Sequence, residues 1–160
     1  MSPDKSFPAP AKAALSTSHL QNILKNYDLE GVAAYQQQYL DSNEPDFSGY
    51  MDALIRQKGL KRKDIFQRAD LPQKYGYSLL KEDSHTSERD NLIRIFLAMN
   101  LSLEQVQRAL RLYKMPILYP RFTRDAVLII AFNKGIYFVD QVNEALQQAK
   151  QPPLKRCEDK

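Results

Sequence analysis

The amino-acid sequence predicts an all-α fold, and three observations lead to this prediction. Almost every apolar run between residues 15 and 154 has helical spacing. Short stretches containing proline, glycine or asparagine separate the runs, as turns between helices do. A sequence repeat in the C-terminal half has helical spacing in both copies. The longest uninterrupted apolar segment, residues 126–132, has only seven residues, so no membrane-spanning helix and no membrane partner are expected.

The composition is that of an ordinary soluble domain with tails. The 160 residues are 43% apolar, which is enough for one core. No apolar segment follows a basic start at the N-terminus, so no secretory signal is expected. The single cysteine, Cys157, cannot form an internal disulfide, and its polar surroundings are typical of a protein in the reducing cytosol. We therefore expect a cytoplasmic protein.

The net charge of +4 is unevenly distributed along the chain. Residues 1–49 carry −3 and residues 82–160 carry +2, whereas residues 50–81 carry +5 from eight Lys or Arg against three Asp. Clustered cations are typical of proteins that bind a phosphate backbone. A solvated basic face gives the same pattern, so charge alone leaves both interpretations open.

The N-terminal part predicts an arm followed by short helices. Residues 1–14 are rich in proline and small side chains, and we predict that they are disordered. Residues 15–46 predict short acidic helices. Ser18 and Gln21 have the spacing of a capping box at the start of the first one, and a second helix is expected over residues 29–40.

Residues 47–114 are predicted to form a helix-turn-helix domain. Its first helix carries an apolar stripe and ends at Gly59, since glycine after a lysine is typical of a helix C-terminus. The next helix begins after Leu60 and ends at residues 70–72 (DLP), and another covers residues 73–81. Two short helices joined by so tight a turn, with cations on the second and before the first, indicate a helix-turn-helix.

The C-terminal half contains the repeat. Residues 89–95 (RDNLIRI) reappear 35 positions later as residues 124–130 (RDAVLII), and the match continues at an offset of 36 into a proline and a leucine. Each copy predicts a helical hairpin, the second within residues 115–154, and each is expected to bury its apolar stripe against the other. Residues 155–160 are expected to be a mobile tail.

One segment of the repeat has two interpretations when taken alone. Residues 127–130 (VLII) would by themselves predict a buried strand. Their repeat partner lies within residues 92–99, which have clear helical spacing, so we predict a helix in both copies. A helix that is apolar on every side has to be buried on every side. We therefore expect this one either at the centre of the bundle or against a second chain.

The order and spacing of residues 50–112 resemble the five-helix DNA-binding domain of the lambda-repressor-like, or XRE-type, regulators. Residues 119–121 (YPR) and 124–127 (RDAV) extend the resemblance to a subgroup of such proteins from Gram-positive bacteria. The implied fold is therefore a lambda-repressor-like five-helix domain with short N-terminal helices and a C-terminal helical hairpin. The motifs that carry the resemblance are Tyr50-x3-Leu54, Gly59-Leu60-x4-Ile65, Arg68-Ala69-x-Leu71, Tyr75-x-Tyr77-x-Leu79, Arg89-x2-Leu92-x5-Ala98-x2-Leu101-Ser102-Leu103, and Ser102-x-x-Gln105, a capping box.

The resemblance implies a transcriptional regulator at the bacterial nucleoid whose partner is double-stranded DNA. The helix over residues 73–81 would lie in the major groove, and the helix that begins near Arg62 would brace the phosphate backbone. Such domains bind as dimers across two half-sites, so a homodimer is expected. The residues expected to contact DNA are Lys61, Arg62, Lys63, Gln73, Lys74, Tyr77, Ser78 and Lys81.

Several positions depart from the usual pattern of that family. Phe66 stands where a small residue is usual, and Gly76 stands where a branched apolar residue is usual. We hypothesise that the Phe66 ring fills the space that the missing side chain of Gly76 leaves open. Asp70 replaces the usual turn glycine and tolerates a left-handed backbone better than most residues. Of Tyr75 and Tyr77, either one packs inward and the other faces DNA, or both are half-buried structural residues.

No catalytic or metal-binding pattern is present in the sequence. His19 and His85 are far apart and lie among polar residues, and Cys157 is a lone thiol. The sequence contains neither a glycine-rich phosphate loop nor a Cys/His cluster with metal-ligand spacing. We therefore expect neither an enzyme nor a cofactor.

A second interpretation of the helix-turn-helix pattern is a protein-interaction module that keeps the fold without reading DNA, since fold alone does not establish function. The Gln- and Tyr-rich residues 35–39 and the C-terminal hairpins offer surface for a partner protein. In the loop after the third helix, Ser84, Thr86 and Ser87 are expected to be exposed and able to take a phosphate, which would repel DNA.

Overall fold

The structure, a computed structural model, describes residues 15–40 and 45–157. The secondary structure of these residues is entirely helical, without a strand, which confirms the all-α prediction. The chain divides between residues 44 and 45 into two compact units. The expected disordered arm, residues 1–14, lies outside the described residues.

The described residues of the first unit, 15–40, form two α-helices joined through a turn of 3-10 helix. Ser18 does not cap the first helix as predicted, because that helix begins earlier and Ser18 lies in its first turn. The cap is Ser16, whose hydroxyl accepts a hydrogen bond from the backbone N–H of His19 at 3.1 Å. The Tyr35 ring packs edge-on against Tyr27. The elements are α1 (Thr17–Leu24), the 3-10 turn (Leu29–Gly31) and α2 (Val32–Tyr39).

The second unit, from residue 45 onward, contains seven α-helices in its described part. Gly59 and Asp70 end the first two in the left-handed conformation, with φ of 66° and 56°, as their sequence positions predicted. The predicted capping box of Ser102 and Gln105 is also confirmed. The helices are α3 (Phe47–Lys58), α4 (Arg62–Ala69), α5 (Gln73–Leu80), α6 (Arg89–Ala98), α7 (Leu103–Leu112), α8 (Thr123–Asn133) and α9 (Val139–Gln148).

Helix α6 is the central element of this unit. Every residue of α6 from Asp90 to Ala98 is buried. Helix α4 packs along α6, α5 packs against α3 and α4, and α9 packs against both α6 and α8. The repeat therefore correctly predicted that its second copy is helical, but the central position belongs to α6. Its counterpart α8 leaves Ile130 more than half exposed.

The two copies of the repeat are joined by a reciprocal exchange of ion pairs. The guanidinium of Arg89, at the start of α6, donates to the carboxylate of Asp125 in α8. Conversely, Arg124 of α8 donates to both oxygens of Asp90 in α6, at 2.9 and 2.8 Å. Both aspartates are buried. Each hairpin thus neutralises a buried charge of the other.

The same four side chains also hold the segments that follow each hairpin. Arg89 donates to the carbonyls of Pro116 and Ile117, and Arg124 donates to those of Pro152 and Pro153. The aspartates bind the same segments. Asp125 accepts a hydrogen bond from the backbone N–H of Tyr119, and Asp90 accepts one from the backbone N–H of Lys155. The equivalent bonds show that the sequence repeat is also a structural repeat.

Arg94 joins α6 to the end of α4 and to the C-terminal segment. Its side chain is buried and donates three hydrogen bonds, all to backbone carbonyls. Those carbonyls belong to Ala69, the last residue of α4, and to Leu154 and Lys155 near the C-terminus. Burial lowers the pKa of Arg94, while the nearby Asp70 opposes that shift. Arg94 therefore connects the end of α4 with a segment distant in sequence.

The residues expected to begin a mobile tail make specific contacts. The backbone of Lys155 bonds to Arg94 and Asp90, and Arg156 forms an ion pair with Asp70 at 3.5 Å. Cys157 packs against the core. The packed part of the chain thus continues at least to residue 157, because α6 offers partners that the composition of the segment did not reveal. Residues 158–160 of the expected tail lie outside the described residues.

The exchanged pairs predict a loss of stability in acid. Burial opposes ionisation of Asp90, but hydrogen bonds from Arg124 and from the backbone N–H of Lys155 outweigh it and hold the pKa of Asp90 below its ordinary value of 3.8. Because the folded pKa is the lower one, this stabilisation is complete at neutral pH and is lost as the pH falls from about 4 through the folded pKa. We expect Asp90→Asn to lower the free energy of unfolding by about 3 kcal/mol at pH 7, as measured by urea denaturation.

The pH dependence separates this prediction from a general defect. The difference between Asp90→Asn and the wild type should shrink between pH 5 and pH 2, since acid protonates Asp90 itself. Glu88→Gln is the matched control, because Glu88 pairs with a largely exposed Lys155 and should cost less than about 1 kcal/mol. A difference that stays the same down to pH 2 would contradict the prediction.

Candidate nucleic-acid interface

Helices α4 and α5 pack together and are joined by residues 70–72, the tight turn that the sequence predicted. All eight residues expected to contact DNA lie on these helices or at their ends. The exposed ones are Lys61, Lys63, Gln73, Lys74 and Lys81, and the half-buried ones are Arg62, Tyr77 and Ser78. None of the eight is buried in the core.

Helix α5 separates a buried face from an exposed face. Its buried residues, Gly76, Leu79 and Leu80, lie on one side of the helix. At 100° per residue, the five site residues expected on and just after α5 fall within one arc of about 140°. Lys74, Ser78 and Lys81 lie opposite the buried side, whereas Gln73 and Tyr77 lie toward its edge. The helix thus presents two lysines, two smaller polar side chains and the edge of a tyrosine on one surface.

Gly76 brings α5 into close contact with α4. An ideal Cβ added at Gly76 would lie 2.4 Å from Cδ1 of Phe66, a distance that real Cβ atoms do not reach. The Phe66 ring is buried there and makes an edge contact with Tyr77, with the ring centroids 5.0 Å apart. This geometry supports the hypothesis that the Phe66 ring fills the space left by the absent side chain.

The two tyrosines beside Gly76 are both half buried, as one of the two sequence interpretations expected. The hydroxyl of Tyr75 accepts a hydrogen bond from Nδ2 of Asn91 at 2.9 Å, which ties α5 to α6. Asn91 is itself buried, and its Oδ1 has no hydrogen-bond partner in the described chain. The alternative, with one ring packed inward and the other facing outward, is therefore not what the structure shows.

Several Lys and Arg side chains of residues 50–81 make contacts within the protein. Arg62 forms an ion pair with Asp52 of α3, which fixes the start of α4. Lys58 and Arg68 donate to backbone carbonyls at the end of α6. The exposed positive charge near α5 therefore rests mainly on four lysines, Lys61, Lys63, Lys74 and Lys81. Exposed acidic residues, Glu82 and Asp83, follow directly after them.

The loop after α5 corrects one expectation. Ser84 and Ser87 are exposed as expected, but Thr86 is buried. Its backbone N–H donates to the Tyr113 hydroxyl at 2.8 Å, and its own hydroxyl accepts from the backbone N–H of Glu88. Thr86 therefore fixes the loop from within and offers no hydroxyl to a kinase in this conformation.

The residues considered for catalysis have structural contacts. The His85 ring stacks on Tyr113 with the ring centroids 4.4 Å apart, and His19 takes part in the first turn of α1. Within the described ranges, no three His, Cys, Asp or Glu side chains are grouped so that they could hold a metal ion. No helix in the described part of the chain is both long and apolar enough to cross a bilayer.

Comparison of the chain with protein-family models, with curated protein sequences and with solved structures found no match. The candidate interface therefore stands on its own residues. The main feature of this interface is the exposed face of α5. The helix is held against α4 by the Phe66–Gly76 contact and against α6 by the hydrogen bond between Asn91 and Tyr75.

The Phe66–Gly76 contact predicts an unusual response to substitution. Gly76→Ala and Gly76→Ile should lower Tm, with a loss of about 1–3 kcal/mol from overpacking against Phe66. This direction is informative because Gly→Ala inside a helix otherwise gains about 1 kcal/mol. Gly49→Ala in α3 is the control. Its added Cβ would meet Oδ1 of Asp46 at 3.2 Å and Cβ of Pro45 at 3.3 Å, which is tight but a much smaller overlap than at Gly76, so the loss in Tm should be smaller.

A double-mutant cycle tests whether the two residues compensate each other. Phe66→Ala alone should cost about 3–5 kcal/mol through the cavity it leaves. In the pair Phe66→Ala/Gly76→Ile, the new side chain occupies part of that cavity, so the double variant should be more stable than the sum of the single effects. Additive losses, or a gain in Tm for Gly76→Ile, would refute the compensation.

Proposed function

We propose that this protein is a DNA-binding transcriptional regulator of the lambda-repressor-like, or XRE, type. Helix α5 enters the major groove and α4 lies across the phosphate backbone, as in other helix-turn-helix proteins. The observation that supports the proposal most is the exposed face of α5, on which the five residues expected from the sequence resemblance lie together.

Each side chain of that face has a chemical role in the proposal. Gln73 pairs with N6 and N7 of adenine, Lys74 with O6 and N7 of guanine, and Ser78 with either base. Lys61, Lys63 and Lys81 contact phosphates, and each of these contacts steepens the salt dependence of binding. Tyr77 contributes an apolar edge, since its ring already packs on Phe66.

The start of α4 also favours a phosphate. Its N-cap, Lys61, provides no side-chain hydrogen bond to the first turn, so backbone N–H groups there are available to an anion, which the helix dipole attracts. Arg62 stands at the same end but is paired with Asp52. Because that pair compensates its charge, we expect Arg62 to contribute less to DNA affinity than Lys74.

The proposal includes a homodimer in the bacterial cytoplasm, at the nucleoid. Helix-turn-helix proteins read two half-sites about 34–36 Å apart with two copies of the domain. A two-fold symmetric operator would then match the symmetry of the dimer.

A salt series on double-stranded DNA tests the proposed function. We expect the purified chain to bind random genomic duplex at low salt, with an affinity that falls steeply as salt rises. Lys74→Ala should weaken binding to an enriched operator by about 1–3 kcal/mol. Lys63→Ala should weaken binding to all DNA sequences alike and reduce the slope of log affinity against log salt concentration by about one. Fluorescence anisotropy with labelled duplexes measures both effects.

A charge-matched variant provides the control. Arg111→Ala removes the same charge from an exposed position on α7 and should leave both the affinity and the salt slope unchanged. Binding that is absent at low salt, or that responds equally to Arg111→Ala and Lys74→Ala, would contradict the proposal. Circular dichroism of each variant confirms that helix content is retained.

A second function is favoured by a specific observation. Glu82 and Asp83 are exposed directly after α5, where they would stand beside phosphates, and like charges there oppose DNA binding. In this alternative, the chain is a non-catalytic protein-interaction module that keeps the helix-turn-helix pair. If this alternative is correct, the wild type does not bind DNA, and reversing the two charges (Glu82→Lys and Asp83→Lys) creates DNA affinity. If the protein is a DNA-binding regulator, the wild type already binds DNA.

A further inference from the structure

The two copies of the structural repeat differ in the burial of one helix face. The face is covered in α6, the first copy, and partly exposed in α8, the second copy. Ile95 of α6 is completely buried, whereas Ile130, its counterpart in α8, is 57% exposed. The neighbouring positions differ in the same way. Asn91 and Leu92 are buried in α6, whereas their counterparts in α8 are only half buried. Other helices of the second unit cover this face of α6, where Asn91 bonds to Tyr75 of α5. In the described part of the same unit, the equivalent face of α8 is left partly open.

The exposed side of α8 has an apolar centre. Ala126 and Ile130 lie on the side of the helix opposite its buried residues, between the exposed polar Thr123 and Asn133. The half-buried Val127 borders them and also packs against the core. Aromatic side chains stand at both ends, because Phe122 precedes α8 and is 63% exposed, and Phe138 follows the turn after α8 and is 55% exposed. We call these five apolar residues the α8 face. Clustered exposed apolar side chains of this size mark interaction sites more often than scattered single ones do.

Exposed cations stand at both ends of α8. Arg121 precedes the helix and Lys134 follows its last residue, and both are exposed. Arg124 and Asp125, at the start of α8, are each paired across the repeat and leave no net charge there. The exposed acidic residues Asp140 and Glu144 lie on α9. The two ends of α8 therefore carry positive charge.

We propose that the α8 face binds an amphipathic helix of a partner protein whose apolar stripe is flanked by acidic residues. The shape follows from the repeat, since the equivalent face of α6 is buried under other helices, among them α5 at Asn91. The charge follows from Arg121 and Lys134, which would meet the acidic flanks of the bound helix. Ile130 at the centre, with Phe122 before α8 and Phe138 after it, provides exposed apolar anchors.

The other occupants fit the α8 face less well. In a symmetric contact with a second copy of the chain, antiparallel α8 helices bring Lys134 of one copy beside Arg121 of the other. Parallel helices bring the two Lys134 side chains together and the two Arg121 side chains together. Like charges meet in both arrangements. A nucleic acid would stack on aromatic rings, but the centre of this face is aliphatic, and Phe122 already packs edge-on against Tyr119.

Two libraries of helical peptides test the proposal on the full-length chain. Both carry apolar residues at helical spacing, and their remaining positions are Glu and Gln in one library and Lys and Gln in the other. We expect selection to enrich binders only from the acidic library. Ile130→Asp should weaken them at least tenfold, and Arg121→Glu with Lys134→Glu should reverse the preference toward the basic library. Leu29→Asp, at an exposed leucine of the first unit, is the matched control and should change nothing.

Each alternative gives a distinct result that overturns the proposal. Acidic binders that survive Ile130→Asp, or no binders at all, show that the face does not dock such a helix. A wild-type dimer that Ile130→Asp converts to a monomer in sedimentation assigns the face to a second copy. Binding of a single-stranded oligonucleotide that is lost on Phe122→Ala assigns it to nucleic acid. These measurements do not involve duplex DNA, so their outcome is independent of the proposed DNA reading by α5.

Discussion

Two arginine–aspartate pairs, exchanged between the starts of α6 and α8, are the interaction on which the arrangement of the second unit depends. Arg89 neutralises Asp125, and Arg124 neutralises Asp90. A buried charge that has lost its partner is strongly unfavourable, so each hairpin stabilises the buried aspartate of the other. Each arginine also binds the segment that leaves its own hairpin. Four side chains therefore fix the beginning and the end of both copies.

The surface that we propose to read DNA rests on this exchange through α6. Helix α4 packs along α6 and ends at Ala69, whose carbonyl is held by Arg94. Helix α5 is held from the same helix through the hydrogen bond from Asn91 to Tyr75. The position of the exposed face of α5 is thus set by a helix whose own start is fixed by the C-terminal repeat. The repeat is therefore part of the scaffold that positions α4 and α5.

Local signals were sufficient to predict much of the fold and the outward face of the candidate site. Helix ends such as Asp70 depend on the conformation of single residues, which the residue type indicates. The contact between Phe66 and Gly76 could be predicted because both residues depart from the usual pattern of the family that the sequence resembles. The partners of Arg89 and Asp90 could not be predicted, because adjacent opposite charges do not show whether they pair within one hairpin or across two. For the same reason, the repeat could not show which of its equivalent helices is central, so the exposure of α8 became visible only in three dimensions.

The three carbonyl partners of Arg94 have a consequence for the way the chain folds during translation. One belongs to the end of α4, but the others lie 60 and 61 residues further along the chain. The ribosome completes α3 to α6 long before it makes those residues. Until they emerge, the Arg94 guanidinium has to keep its water, since burying it without acceptors is costly. We therefore expect nascent chains that stop before residue 154 to be less tightly closed beside α4, and proteases cleave such locally open states.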